Sequence, residues 1–160
     1  EWINAVLAYA AEKYPNLTLV CDPVCTNESI DEAYSKTLDL LTTYPDLKGI
    51  IGFSSPAPIG AGQAVSEMGL QGKVAVVGTC MPNDANALMK EGAISSGLLG
   101  DPAALGYLSV GLAKYVLDGN EIKDGDVEIE GYGTATIAGK QVFMGKPLIF
   151  TAETVDNYNF

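Results

Sequence analysis

The side chains best placed to do chemistry fall where β-prone runs give way to helical ones. Ser54 and Ser55 stand between Phe53 and the prolines Pro56 and Pro58 in GIIGFSSPAPIGAGQA, residues 49–64. Cys80 closes the apolar run VAVVGTC and Met81 follows it, and Gly100 and Asp101 precede Pro102. Hydroxyls, backbone amides and a carboxylate at such junctions can hydrogen-bond a small polar molecule. The same residues also do purely local work: serine and proline turn the chain, and an aspartate before proline caps a helix. Capping is the first role expected of Asp101, with ligand hydrogen bonding second. Phe53 and Met81 can pack the apolar face of a sugar or belong to the core.

Other chemistries are excluded by what is missing. The 160 residues contain no histidine and no arginine, and nine lysines oppose twenty acids for a net charge of −11. Ser-His, Cys-His and imidazole–metal sites therefore cannot be built from this chain. A surface this acidic does not suit nucleic acid, and without arginine the usual bidentate clamp for carboxylate or phosphate is absent. A neutral ligand is expected, with no metal, no cofactor and no enzymatic activity. GFSSPAP is not a G-x-S-x-G nucleophile elbow, and the glycines of GAGQA sit inside a helix, not in a dinucleotide fingerprint. Cys21 and Cys25 in CDPVC can close a small disulfide or remain free, since spacing alone does not establish S–S geometry. Cys80 is expected to pack or to contact ligand. The acidic run EIKDGDVEIE (121–130) is expected to face solvent, because it lacks calcium-loop spacing.

These junctions need elements to hold them. Ile3, Val6, Leu7 and Ala10 recur at helical spacing up to Pro15, and LTLVC follows as an expected strand. Ser29 and Glu32 can form a capping box for a helix whose face is Ile30, Ala33, Tyr34, Thr37, Leu38 and Leu41. LKGIIGF, VAVVGTC and AISSGLLG read as strands. Helices lie between them, the second capped by Asn83 or Asp84, and a last one runs from Asp101 to about Asp118. The alternation implies a doubly wound α/β fold with a parallel sheet. After Gly119 glycine turns separate short β-prone runs, so an extended tail with a hairpin is expected. No strand precedes the first helix, and in a sheet of order 2-1-3-4-5 that strand would be central. Ligands in such sheets sit beyond the carboxyl ends of the strands. That rule selects loops 22–27, 53–58, 79–83 and 100–102.

Four stretches in order, YPDLKGIIGF, VAVVGTCMPNDANALMKEGAI, GDPAALGYLSVGLAKYVLDG and IFTAETVDNYNF, resemble the type 1 periplasmic sugar-binding proteins of ABC transporters. They are most similar to the branch with autoinducer-2-binding and rhamnose-binding proteins. The resemblance implies a two-lobed receptor that closes over its ligand. Residues 1–118 would be the α/β C-terminal lobe and residues 119–160 a return segment and tail, with the first strand, the hinge and the other lobe upstream of Glu1. It places ligand contacts at Phe53 and Ser55, with Ser54 between them, at Cys80 and Met81, and at Gly100 beside Asp101. Autoinducer-2 receptors have proline and alanine at the positions of Phe53 and Ser55 and contact ligand there through the backbone, so the ligand here need not be autoinducer-2. Relatives often carry an aspartate or serine where Cys80 and Met81 stand. Many relatives have tryptophan or another polar or aromatic residue at Gly100, so the resemblance implies a roomier pocket or a different ligand here. A small neutral sugar or polyol and an ABC transporter permease are the implied partners. The full-length protein would be an extracytoplasmic monomer, free in the periplasm or lipid-anchored. The alternative is the effector domain of a LacI-type transcription regulator, although DNYNF fits the transport branch better.

Overall fold

In the computed structural model, residues 2–160 are described, and they form two compact units, residues 2–98 with 149–160, and residues 99–148. Each is built around its own sheet.

In the first unit, strands β1 (Gly49–Gly52), β2 (Ala75–Thr79), β3 (Ser96–Leu99) and β7 (Leu148–Phe150) lie side by side in the order β1-β2-β3-β7. β1 pairs with β2 and β2 with β3, both in parallel, with Gly52 opposite Gly78 and Val77 opposite Ser96. This is the parallel α/β sheet expected, and β1-β2-β3 correspond to the 3-4-5 half of the 2-1-3-4-5 order. Helix α3 (Pro56–Glu67) follows β1 and α4 (Pro82–Lys90) follows β2, each opening with proline, whose fixed φ suits a first helical turn. Ala61, Ala64 and Val65 of α3, Ala85 and Met89 of α4, Val76 and Phe150 make the core. Along β1, β2 and β7 burial alternates, so Ile51 and Ile149 are exposed while Gly52 and Phe150 are buried.

Helix α2 (Ile30–Thr43) lays Ala33, Thr37 and Leu41 against α3. Gly60 makes this approach close, since a methyl group there would overlap the Ile30 carbonyl and the backbone nitrogen of Tyr34. The expected capping box is half formed. Ser29 Oγ accepts from the Glu32 N–H at 3.2 Å, but the Glu32 carboxylate takes the Asn27 amide and the Lys36 ammonium instead of the Ser29 N–H. Those partners hold Glu32 below the usual carboxylate range.

Helix α1 (Trp2–Lys13) forms as its periodicity predicts and buries no residue. The expected strand LTLVC does not form: Leu17, Leu19 and Val20 are exposed and irregular. A strand exists through its neighbour's hydrogen bonds, and the described residues place no strand beside this run.

In the second unit, α5 (Pro102–Leu117) packs on an antiparallel sheet of β4 (Gly125–Ile129), β5 (Gly133–Ala138) and β6 (Gln141–Phe143). Leu108, Ile129 and Ala135 form its centre. Gly111 lets the helix come so near that any side chain there would overlap Ile129. Between β5 and β6 the turn needs Gly139, whose φ of +60° strains other residues. The expected hairpin is thus present, and the acidic side chains of the run 121–130 face solvent as expected while Ile129 packs inward, with Asp126 bonded across the strands by Thr136 at 2.7 Å.

Candidate ligand-binding site

Two neighbouring parallel strands deliver two loops to the same edge of the first unit's sheet. β1 ends at Gly52 and releases Phe53, Ser54 and Ser55; β2 ends at Thr79 and releases Cys80 and Met81. The strand ends are packed tightly enough to fix where those loops start. A Cβ on Gly78 would overlap the Gly52 carbonyl, and one on Gly52 would lie 2.6 Å from Pro58 Cδ. Pro58 is fully buried, so it wedges the start of α3 against both strands.

Phe53, Ser54 and Met81 are half-buried and Ser55 is exposed. Neither hydroxyl is used as a cap: Ser55 is the N-cap of α3 and makes no side-chain cap bond. The Ser54 carbonyl accepts from Ala57 N–H at 3.1 Å, a turn bond that leaves the Ser54 side chain uncommitted. Met81 is the N-cap of α4, where Asn83 or Asp84 was expected, and it too makes no side-chain cap bond. Residues 53–58 and 79–82 carry no charge. The edge therefore offers hydroxyls, backbone groups and two apolar side chains, a set that suits a neutral polyol better than an ion.

Cys80 is placed differently from its neighbours. Its side chain is fully buried against Gly97 and shares that space with Phe150. Burial pushes its thiol up to about 11, with the Asp84 carboxylate adding to the effect. A thiol held protonated is no nucleophile, so what Cys80 can present to a ligand is its backbone. Cys21 and Cys25 are both free, and Cys25 donates to Asn27 Oδ1 at 3.2 Å.

Gly100 and Asp101 lie in the second unit, ahead of α5. Asp101 caps that helix as expected, its Oδ1 accepting from Ala103 N–H at 2.9 Å and Ala104 N–H at 3.1 Å. Both bonds use one oxygen, so Oδ2 is available to another donor. Gly100 is exposed, and a Cβ there would meet only Met144 Cε at 3.7 Å.

Two shallow grooves lie elsewhere. One is lined by Val24, Lys36, Asp39, Leu40, Thr43 and Tyr44, the other by Ala103, Gly106, Tyr107 and Val110. Neither includes a residue of the candidate set. Among the described residues no cluster of three potential metal ligands occurs.

Residues 1–121 match the protein family described as the periplasmic binding protein domain. Among solved structures, LsrB from Clostridium saccharobutylicum in complex with AI-2 superposes with a TM-score of 0.85 at 26% identity, covering 99% of this chain and 54% of that one. A sugar ABC transporter protein from Actinomyces odontolyticus gives a TM-score of 0.86 at 25% identity, covering 99% and 52%. An ABC transporter solute binding protein from Clostridium phytofermentas with bound L-rhamnose shares the fold, with a TM-score of 0.81 at 18% identity and coverage of 98% and 53%. The chain thus spans about half the length of the solved chains it matches.

Proposed function

The chain belongs to the periplasmic binding protein domain family, and from that membership we propose that it forms part of an extracytoplasmic receptor that captures a small neutral sugar or polyol for an ABC transporter. The observation that carries this reading is the uncharged strand edge. Ser54, Ser55 and the backbone of Cys80 supply polar groups, and Phe53 and Met81 supply apolar surface. Neither loop has a lysine or arginine to pair with an anion. Two of the superposed proteins carry bound AI-2 and L-rhamnose, both compatible with that chemistry.

The resemblance adds Gly100 and Asp101 as contacts. It also supports residues 1–118 as a functional lobe with 119–160 as its return segment. Capture by this edge alone is weak. About four hydrogen bonds at ~1 kcal/mol each give ~4 kcal/mol, near millimolar before association costs. A second wall is needed, and the matched chains have about twice the length in which to supply one.

A thermal-shift series on the full-length protein with AI-2, L-rhamnose and neutral polyols tests the reading. A ligand at a hundred times its dissociation constant adds about 2.7 kcal/mol of stability. A shift with one of them that disappears in Ser55→Trp supports this edge as the site. No shift with any of them overturns the sugar assignment while leaving the fold intact.

A further inference from the structure

Helix α4 starts immediately after the Cys80–Met81 loop, and its N-cap residue makes no side-chain cap bond. The first N–H groups of a helix have no partner within it and must find acceptors elsewhere. Here one acceptor comes from the far end of the chain: Asn83 N–H donates to the Phe160 carbonyl at 3.2 Å. The Asn83 side-chain amide donates to Asn159 Oδ1 at 3.4 Å. Farther along the same helix, Asp156 Oδ1 accepts from Asn86 Nδ2 at 2.8 Å and from Lys90 Nζ at 2.7 Å. Asn83, Asn86 and Lys90 are spaced by three and four, one stripe of the helix, while Ala85 and Met89 on its other side are buried.

The far segment is itself anchored. Val155 is fully buried, Thr154 Oγ1 accepts from Thr151 N–H at 3.0 Å, and the Tyr158 ring lies 5.7 Å from that of Phe150 and 6.2 Å from that of Phe160. It can therefore hold α4 and not merely follow it.

We propose that residues 156–160 act as a strap on α4, with Asp156 as a positioning residue for the Cys80–Met81 loop. The strap works through Asn83, Asn86 and Lys90 and touches no ligand. That it matters for binding rests on the assignment of the loop as a ligand wall; that it orders the loop does not. The bonds of Asp156 are solvent-exposed, its side chain being 64% accessible. Exposed pairs contribute little to global stability. Their loss should therefore be felt locally: it frees residues 156–160 from α4 and so weakens the Asn83 bonds to Phe160 and Asn159 at the first turn of the helix.

The test is amide hydrogen exchange and chemical shift by NMR on the full-length protein. Asp156→Ala is expected to speed exchange of the Asn83 and Ala85 amides about tenfold and to move the Cys80 and Met81 amide signals, with Ile59 to Val65 of α3 unchanged. Asp156→Asn keeps an acceptor for Asn86 and is expected to restore most of the protection. Unchanged exchange at Asn83 and Ala85 overturns the strap. So does an acceleration spread evenly over α3 and α4, because that would be general destabilisation. Titration of both proteins with AI-2 and L-rhamnose then separates the two ideas: no binding by the wild type counts against the ligand wall, whereas the exchange result stands by itself.

Discussion

Cys80 joins the candidate site to the core. Its backbone leaves the end of β2 while its sulfur fills the space over Gly97 beside Phe150. Burial raises the folded-state pKa to about 11, above the ordinary thiol value reached on unfolding. The stabilisation this implies is complete below the unfolded pKa and disappears as pH rises through about 9 to 11, because the unfolded thiol ionises first. Comparing urea unfolding of wild type and Cys80→Ala across that window removes the tyrosine and lysine titrations common to both. The difference between them should shrink, by an amount on the order of 2 kcal/mol, and a pH-independent difference would show that the thiol is better solvated than its burial indicates. At the same scale, Gly78→Ala should destabilise by about 2–4 kcal/mol in denaturant titration, since its methyl group would press on the Gly52 carbonyl, a backbone atom unable to swing aside. The Asp101 cap was readable in the sequence because a cap depends on residues two and three positions on. The inward turn of Cys80 was not, because Phe150, which packs beside it, lies in a strand far along the chain.

At the level of elements, local signals predicted well wherever local forces decide. The Asp101–Pro102 start located α5, apolar spacing located α1 and α2, and glycine turns after Gly119 announced the hairpin. LTLVC failed for the opposite reason: its β-prone residues require a neighbouring ladder, and propensity does not provide one. The start of α4 shows the same limit, since Asn83 or Asp84 was expected as the cap and Asn83 instead bonds to Asn159 and Phe160. Two substitutions test this division. Asp101→Ala should cost about 1 kcal/mol, seen in denaturant unfolding, with Asp101→Ser retaining most of the stability; equal losses in both would mean that capping is not what the carboxylate contributes. Gly60→Ala should cost more than an ordinary surface change, about 1–3 kcal/mol, because α2 and α3 would have to separate. A neutral result would show that the α2–α3 crossing has slack.

For the molecule as a whole, composition changes at Gly119, whereas the second compact unit begins at Leu99. The two differ because α5 buries Leu108 and Gly111 against the hairpin sheet, which groups the helix with residues that follow it. A similar non-local dependence governs the proposed ligand: the expectation of a neutral one comes from the missing arginines and the uncharged loops, whereas its identity would depend on the shape of a whole receptor, of whose matched relatives this chain spans about half the length. If the receptor closes two walls on its ligand, binding must favour the closed state by its differential contacts. Small-angle scattering of the full-length protein should then show a smaller radius of gyration once the ligand found by thermal shift is saturating. The same ligand added to Ser55→Trp should leave it unchanged. A thermal shift without compaction would mean that one rigid edge suffices for capture. The millimolar ceiling set by about four hydrogen bonds would then have to be broken by contacts other than those of Phe53, Ser54, Ser55, Cys80 and Met81.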